Sequence, residues 1–126
     1  MYLGQKRGIM PPSNSNYFER KDLFGGSGRV RIWNLISNQQ NQIPFTASLW
    51  CSLEGHGFVG PHKQQECPEI IICLSGNGTV KVQQISHDFQ VGVQVYLPLG
   101  SVLSIKNTSG EELEYLIIKA EISKSS

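Results

Sequence analysis

Short segments in which apolar and polar residues alternate follow one another along most of the chain, and turn residues separate them. Alternation with a period of two is typical of β-strands, whose successive side chains point to opposite faces. No segment keeps a helical period over three turns. The pattern predicts an all-β sandwich or a closed antiparallel barrel, which leaves no strand edge exposed. Strands are expected at 29–36, 43–53, 79–83, 94–97, 102–107 and 113–122, and a further strand is expected within 62–76, where an apolar run ends at Ser75-Gly76. Turns are expected at 38–41, 75–78, 86–88 and 108–112, with a glycine-rich connection at 54–61.

The length of 126 residues predicts one domain with one core. Residues 1–25 are rich in Gly, Pro, Asn and Ser and are broken by Pro11-Pro12 and Gly25-Gly26, which favours an arm or loop over a helix. We therefore expect an N-terminal arm at 1–25 and a barrel at 26–126. Short apolar pieces allow the arm to pack on the body or on a neighbouring subunit, and a frayed terminus is the alternative.

Charge, hydropathy and cysteine content indicate where the protein is located and which partners it lacks. The net charge is +1 and charged residues make up 17% of the chain, so no basic surface for nucleic acid is expected. No apolar run approaches the roughly 20 residues of a membrane span, and the N-terminus has no apolar signal core. Cys51, Cys67 and Cys73 form no CxxC pair, which fits free thiols in a reducing cytoplasm better than disulfides. We expect a cytoplasmic protein whose partners include neither nucleic acid nor membrane.

Polar side chains that could bind a metal gather at the start of the apolar run within residues 62–76. In an extended chain His62 and Gln64 share one face, and Glu69 shares a face with the apolar residues two and four positions later. A curled sheet can bring the two sets together inside a barrel. The glycine-bearing turn that follows, and the alternating segment after it, predict a hairpin that carries this set at its start.

Two motifs resemble those of the cupin superfamily, whose members are small antiparallel β-barrels. The first consists of Gly57, His62-Lys63-Gln64, four residues, Glu69, six residues and Gly76. The second consists of Gly92, five residues, Pro98-Leu99-Gly100, two residues, Leu103, three residues and Asn107. The spacing matches the family pattern at every anchor, over roughly residues 43–120. The resemblance implies a single-domain cupin with a double-stranded β-helix, or jelly-roll, barrel that forms a homodimer.

The resemblance also implies where a divalent metal would be held, through two His, a Glu and a further His. These positions are His62, Gln64, Glu69 and Leu103 in this chain, so two of the imidazoles are replaced. His62, Gln64 and Glu69 could still form a three-point site for zinc, nickel, manganese or iron. The alternative is a metal-free pocket in which they form hydrogen bonds, and the apolar side chain of Leu103 favours it.

Further residues are expected around this pocket. His56, in the glycine-rich connection, could supply a missing imidazole. Cys67 shares the parity of Glu69 and could point inward, and Leu103 and Ile105 are expected to line the pocket. His87, beside Asp88 in an expected turn, is predicted to lie on the surface.

Two classes of function fit such a pocket, and the sequence leaves open whether the protein is an enzyme. An enzyme of small-molecule metabolism would use His62 or His56 as a base and Glu69 as the acid–base partner, and a bound metal would polarise a carbonyl or activate a water. With one certain imidazole, iron-dependent oxygen chemistry fits less well. A binding or sensor module would instead hold a small apolar or amphipathic molecule and fix its polar end. In an apolar barrel the pKa of Glu69 is expected to be raised unless a metal or His62 pairs with it.

Overall fold

The computed structural model describes residues 9–36 and 44–121. These residues form ten β-strands and a 3-10 turn at Leu23–Gly25, and they include no α-helix, which confirms the all-β prediction. The strands are β1 (Phe18–Lys21), β2 (Arg29–Asn34), β3 (Phe45–Leu53), β4 (Phe58–Lys63), β5 (Glu69–Ser75), β6 (Asn77–Val82), β7 (Ile85–Gln90), β8 (Gln94–Leu97), β9 (Val102–Asn107) and β10 (Leu113–Ala120). No helix in this part of the chain is long and apolar enough to cross a membrane.

The strands pair antiparallel in two sheets that face each other. The larger sheet has the order β1-β2-β3-β10-β5-β8, and the smaller has the order β4-β9-β6-β7. Strand β10 lies in the middle of the larger sheet, between β3 and β5, although it follows the other strands in chain order. Strand β1, which lies within the predicted arm, pairs with β2 and forms one edge of the larger sheet.

Alternate residues of both sheets build one apolar core between them. In β3, Cys51 and Leu53 point into this core, and Trp50, the residue before Cys51, points to the opposite face. Burying a large apolar side chain stabilises the fold by about 1.5–3 kcal/mol. The largest fully buried side chains are Phe89, Leu53, Ile71, Leu97, Leu103, Ile105, Leu113, Val30 and Val80.

The outer face of the larger sheet carries a second apolar cluster, which consists of Trp33, Trp50 and Leu74. The segment before β1 lies over it. The backbone N–H of Ile9 donates to the Leu74 carbonyl at 2.9 Å, and the Trp33 indole donates to the Asn14 carbonyl at 3.2 Å. The Tyr17 ring lies 5.0 Å from the Trp33 ring, centroid to centroid. The described part of the predicted arm therefore packs on the body of the same chain.

The hairpin predicted for β5 and β6 is wrong. Strand β5 pairs with β10 and β8 in the larger sheet, and β6 pairs with β7 and β9 in the smaller one. One residue, Gly76, carries the chain from sheet to sheet with a φ of 95°, in the left-handed region that glycine adopts without strain. A hairpin turn and a connection between two sheets give the same sequence pattern, because each needs a glycine between two alternating segments. The sequence alone therefore did not distinguish them.

The turn predicted at 86–88 is also wrong, because these residues lie in β7. The β6–β7 connection is a two-residue turn at Gln83 and Gln84, whose φ values are 50° and 70°. Such a turn favours Asn and Gly, so two glutamines gave no signal for it. His87 is nevertheless exposed, as predicted.

Other boundaries differ less from the predictions. The glycine-rich connection is shorter than predicted, since β4 begins at Phe58 and continues through Gly60 and Pro61 with a shift of register between Val59 and His62. The turn predicted at 108–112 is present between β9 and β10. The turn predicted at 38–41 and the last residue of the predicted strand 113–122 lie outside the described residues.

Candidate functional site

A cavity of about 310 Å³ lies between the two sheets and opens to solvent. Its apolar walls come from the inward faces of β2, β3, β9 and β10. Its polar residues come from β4, from the segment between β4 and β5, and from the ends of β5 and β10 that meet there. The main apolar lining consists of Val30, Ile32, Leu49, Leu103, Ile105 and Ile117.

Most of the pocket residues predicted from the sequence line this one cavity: His62, Gln64, Cys67, Glu69, Leu103 and Ile105. His56 does not. It is exposed in the β3–β4 turn with a φ of 59°, and its backbone N–H donates to the Ser109 carbonyl. The turn lies at the end of β4 opposite to His62, so this imidazole is not available to the cavity.

His62 lies near the end of β4 with its ring held on two sides. Its Nδ1 lies 3.1 Å from the Gly60 carbonyl. A carbonyl only accepts, so Nδ1 carries the proton, and in the neutral ring Nε2 is the acceptor. The ring stacks on Phe24, with 4.0 Å between the centroids and 14° between the planes.

Two glycines allow the turn that carries Phe24 to approach β4. A Cβ at Gly60 would lie 1.9 Å from the Phe24 carbonyl oxygen, and one at Gly26 would lie 1.7 Å from the Phe58 carbonyl oxygen. Any larger residue at either position would push the turn away from the strand. Their small size therefore places the aromatic ring over His62 at the mouth of the cavity.

Gln64 is held by its backbone and lines the cavity with its side chain. The Gln64 N–H donates to the Ser101 carbonyl at 2.9 Å, and the Gly100 N–H donates to the Gln64 carbonyl at 2.7 Å. The residue is only 4% exposed. Its side-chain Nε2 is buried and has no hydrogen-bond partner among the described residues. An unpaired buried donor is costly, so this amide is a candidate ligand contact.

Glu69 begins β5 and is 6% exposed. It faces Lys119 in the register of β5 and β10, and Lys119 Nζ lies 3.4 Å from Glu69 Oε2. Burial raises the pKa of Glu69, while the positive charge and hydrogen bond of Lys119 and the charge of His62 oppose the rise. The pKa of Glu69 is therefore raised by burial, as expected from the sequence, and Lys119 is the residue that opposes this rise most.

Lys119 was not identified from the sequence because no cupin motif includes this position. Strand alternation could have found it. Leu113, Tyr115 and Ile117 share the inward face of β10, and Lys119 is the next residue with the same parity.

Two protonated groups complete the deep wall of the cavity. Burial raises the pKa of the Cys51 thiol to about 12, and burial raises the pKa of the Tyr115 hydroxyl well above its ordinary value. Both groups therefore stay neutral at physiological pH. Cys51 lacks the thiolate that a nucleophile needs and acts as part of the wall.

No protein-family model matches the sequence, and no curated protein matches it. Solved structures do match. A predicted oxalate decarboxylase from Thermotoga maritima superposes with a TM-score of 0.81 at 23% identity, over 90% of this chain and 99% of that one. A cupin 2 conserved barrel domain protein from Salinispora arenicola has a TM-score of 0.70 at 23% identity, over 90% and 87% of the two chains.

The chain has the cupin fold. A third structure, the plu4264 protein from Photorhabdus luminescens, covers 96% of this chain and 89% of its own, with a TM-score of 0.72 at 16% identity. These likenesses confirm the cupin barrel that the two sequence motifs implied. At such identities they establish the fold, and the chemistry has to be argued from the side chains of this chain.

The donor set at the cupin metal position does not fit a divalent metal. Leu103 pairs directly with His62 across β4 and β9, so hydrocarbon occupies the place of an imidazole. Lys119 pairs with the Glu69 carboxylate and would repel a metal cation there. The described residues contain no group of three His, Cys, Asp or Glu side chains that could hold a metal ion. In this cupin barrel the cation beside Glu69 is the ammonium of Lys119.

Proposed function

We propose that this cupin-fold protein binds a small organic molecule inside the barrel, at a site organised by side chains rather than by a metal. The observation that carries the proposal is the cavity of about 310 Å³, which combines apolar walls with polar lining residues. Four of these, His62, Gln64, Glu69 and Lys119, are called the polar corner below. Ligand sites in proteins typically measure about 300–1,000 Å³ and combine apolar walls with a few polar groups that fix orientation.

The wall and the corner have different roles in this proposal. The apolar wall favours transfer of a hydrocarbon body out of water. The polar corner offers donors on Gln64 and Lys119 and acceptors on Glu69 and, in the neutral ring, on His62 Nε2. Phe24, stacked on His62 at the mouth, reduces the access of water to the polar corner.

A ligand screen tests the proposal with a matched pair of variants. Ile117 lines the cavity, whereas Ile118, its neighbour in β10, does not, and both are half-buried. We expect small molecules that raise the melting temperature of the wild-type protein to lose about tenfold or more in affinity for Ile117→Phe, because the larger ring fills the cavity. Ile118→Phe should bind them as the wild type does. Equal binding by both variants, or no ligand at all from a broad screen and from native mass spectrometry of the purified protein, contradicts the proposal.

The geometry also supports a second candidate, a metal-independent enzyme that transfers protons. His62 Nε2 could accept a proton from a bound molecule, and Glu69, whose pKa burial raises, could return one. Glu69→Gln should then abolish turnover while leaving the affinity for the ligand within about threefold, measured by calorimetry and by a product assay. Turnover that survives this substitution excludes Glu69 as the acid–base group. The metal-dependent alternative has less support, because Leu103 and Lys119 occupy the surroundings that a metal would need.

A further inference from the structure

We propose that the ligand of this cavity is a neutral hydroxy-carbonyl compound with an apolar body. Its carbonyl oxygen would accept hydrogen bonds from Gln64 and Lys119, and its hydroxyl group would donate to Glu69 or His62. This inference rests on the proposed function and assigns the chemical class of the bound molecule.

The carbonyl oxygen follows from Gln64. Its side chain lines the cavity at 4% exposure, yet its NH₂ group has no acceptor among the described residues. A buried amide donor without a partner destabilises the protein, because it has lost its hydrogen bonds to water and gained none in return. The described residues leave this donor unused. In the proposed complex a rotation of the amide turns the donor toward the cavity. An acceptor on a bound molecule would satisfy it.

Lys119 adds a second donor to the same corner. Its ammonium carries three N–H groups, and the ion pair with Glu69, at 3.4 Å, engages one of them. Lys119 is about one-third exposed and lines the cavity, so further N–H groups can reach a bound molecule. Two donors that line one cavity suit a polarised carbonyl oxygen.

The hydroxyl group follows from the acceptors beside these donors. The Glu69 carboxylate and the His62 ring line the same cavity, and the only hydrogen bond of the His62 ring among the described residues is the Nδ1 contact with Gly60. An adjacent carbonyl and hydroxyl would engage both kinds of group at once. A ketone without a hydroxyl would leave the acceptors without a ligand donor.

Neutrality follows from the charges of the cavity. Lys63 and Lys119 line it, and so do Glu66 and Glu69, which gives two formal charges of each sign. The deeper wall is apolar or protonated, as for Cys51. Of these residues, Glu69 and Lys119 already pair with each other, and Lys63 and Glu66 are exposed to solvent. A ligand that brought a net charge into the mostly apolar interior would therefore lose hydration without a buried counter-charge.

A series of aromatic probes of similar size tests the class by calorimetry. The probes are 2-hydroxyacetophenone, acetophenone, 1-phenylethanol, ethylbenzene and benzoate. We expect 2-hydroxyacetophenone to bind tightest, and acetophenone to bind about tenfold more tightly than ethylbenzene, since one good hydrogen bond is worth about that factor. Ethylbenzene binding as tightly as the ketones overturns the role of the carbonyl, and benzoate binding tightest overturns neutrality.

Gln64→Met gives a second and independent readout. This substitution removes the unpaired donor and keeps the approximate length of the side chain. We expect the ligand-free variant to be at least as stable as the wild type, and to lose about tenfold in affinity for the two ketones while its affinity for ethylbenzene is unchanged. Gln94→Met, at an exposed position of β8, is the matched control and should change neither property. An equal loss for all probes would show that Gln64 only shapes the cavity and would overturn the assignment.

The outcomes separate this inference from the function on which it rests. If none of the ketones binds but the broad screen finds ligands that Ile117→Phe rejects, the site binds another chemical class and only this inference fails. If no ligand of any class is found, both fail.

Discussion

Glu114 is a buried carboxylate on the outer face of the larger sheet, and it does not line the cavity. It is 5% exposed, and it accepts hydrogen bonds from the Trp50 indole and the Ser52 hydroxyl, both at 2.7 Å. Burial raises its pKa above the ordinary value, the two hydrogen bonds oppose the rise, and neighbouring Glu112 adds to it while Arg31 lowers it. The folded protein therefore holds this proton more tightly than the unfolded chain does.

This raised pKa predicts a pH-dependent contribution to stability. Because the folded state binds the proton more tightly, the stability of the wild type falls as pH rises from the ordinary carboxyl range through the raised pKa. Glu114→Gln has no proton to lose there. We expect the free energy of unfolding of the wild type, relative to Glu114→Gln, to decrease in urea titrations as pH rises above the ordinary carboxyl range. Glu19→Gln, at an exposed position in β1, should show no such trend. A pH-independent difference for Glu114→Gln would mean that burial does not shift its titration.

The replacement of two imidazoles predicts the metal content of the protein. We expect the wild type to retain less than about 0.1 equivalent of zinc after gel filtration, and Gln64→His/Leu103→His to retain about one equivalent, since zinc sites need three or four good ligands. Inductively coupled plasma mass spectrometry measures both. One equivalent in the wild type that is lost in His62→Ala would show that the existing donors suffice despite Lys119.

Motif spacing predicted the polar corner only in part. His62, Gln64 and Glu69 were found because the cupin pattern fixes their positions along the chain, and all three line the cavity. Lys119 was missed because it meets Glu69 through strand pairing, across 50 residues of sequence that no motif spans. His56 was predicted near the pocket from its distance along the chain, but the β3–β4 turn directs it to the other end of the barrel.

At the scale of strands, Asn107 joins the end of β9 to two other parts of the fold. It is fully buried, and its Nδ2 donates to the carbonyls of Leu53, Glu54 and Glu111 at 2.7–3.1 Å. Its Oδ1 accepts from the Ser109 N–H. One side chain thus fixes the β9–β10 turn against the end of β3.

Replacing this side chain should destabilise the barrel strongly. Asn107→Leu leaves the buried Leu53 carbonyl and the part-buried carbonyls of Glu54 and Glu111 without their donor, and we expect the free energy of unfolding to fall by about 3 kcal/mol. Urea unfolding measures the loss. Asn77→Leu, at an exposed position at the start of β6, is the control and should change stability by less than about 0.5 kcal/mol. Similar small effects of both substitutions would show that the turn does not depend on Asn107.

The positions of the strands along the chain were more predictable than the way in which the strands pair. Alternation located most of them because side-chain period is a local property. Pairing is not local. The glycine at position 76 marks a change of direction, and it does not reveal that β5 and β6 join different sheets. The turn at Gln83 and Gln84 was missed because its backbone shape is imposed by the pairing of the strands on either side rather than by its own residues.

At the scale of the whole molecule, the larger sheet is apolar on both faces. Its inner face forms the core, and its outer face carries Trp33 and Trp50 under the segment before β1. Removing residues 1–17 should expose both indoles, shift tryptophan emission to longer wavelength and promote self-association. Fluorescence and light scattering measure these effects, with Tyr17→Ala as a milder test of the same contact at 5.0 Å. Unchanged emission would mean that this segment does not cover the cluster in solution.

The central place of β10 in the larger sheet has a consequence for how the protein is made. During translation β3 and β5 leave the ribosome long before β10, which later lies between them. Until then the edges of β3 and β5 that pair with β10 have no native partner, and the pair between Glu69 and Lys119 cannot form. Folding dominated by such distant pairings is slow and exposes surface that aggregates. We therefore expect chains halted before residue 113 to need a chaperone, and the polar corner of the cavity to be the last part of the barrel that is completed.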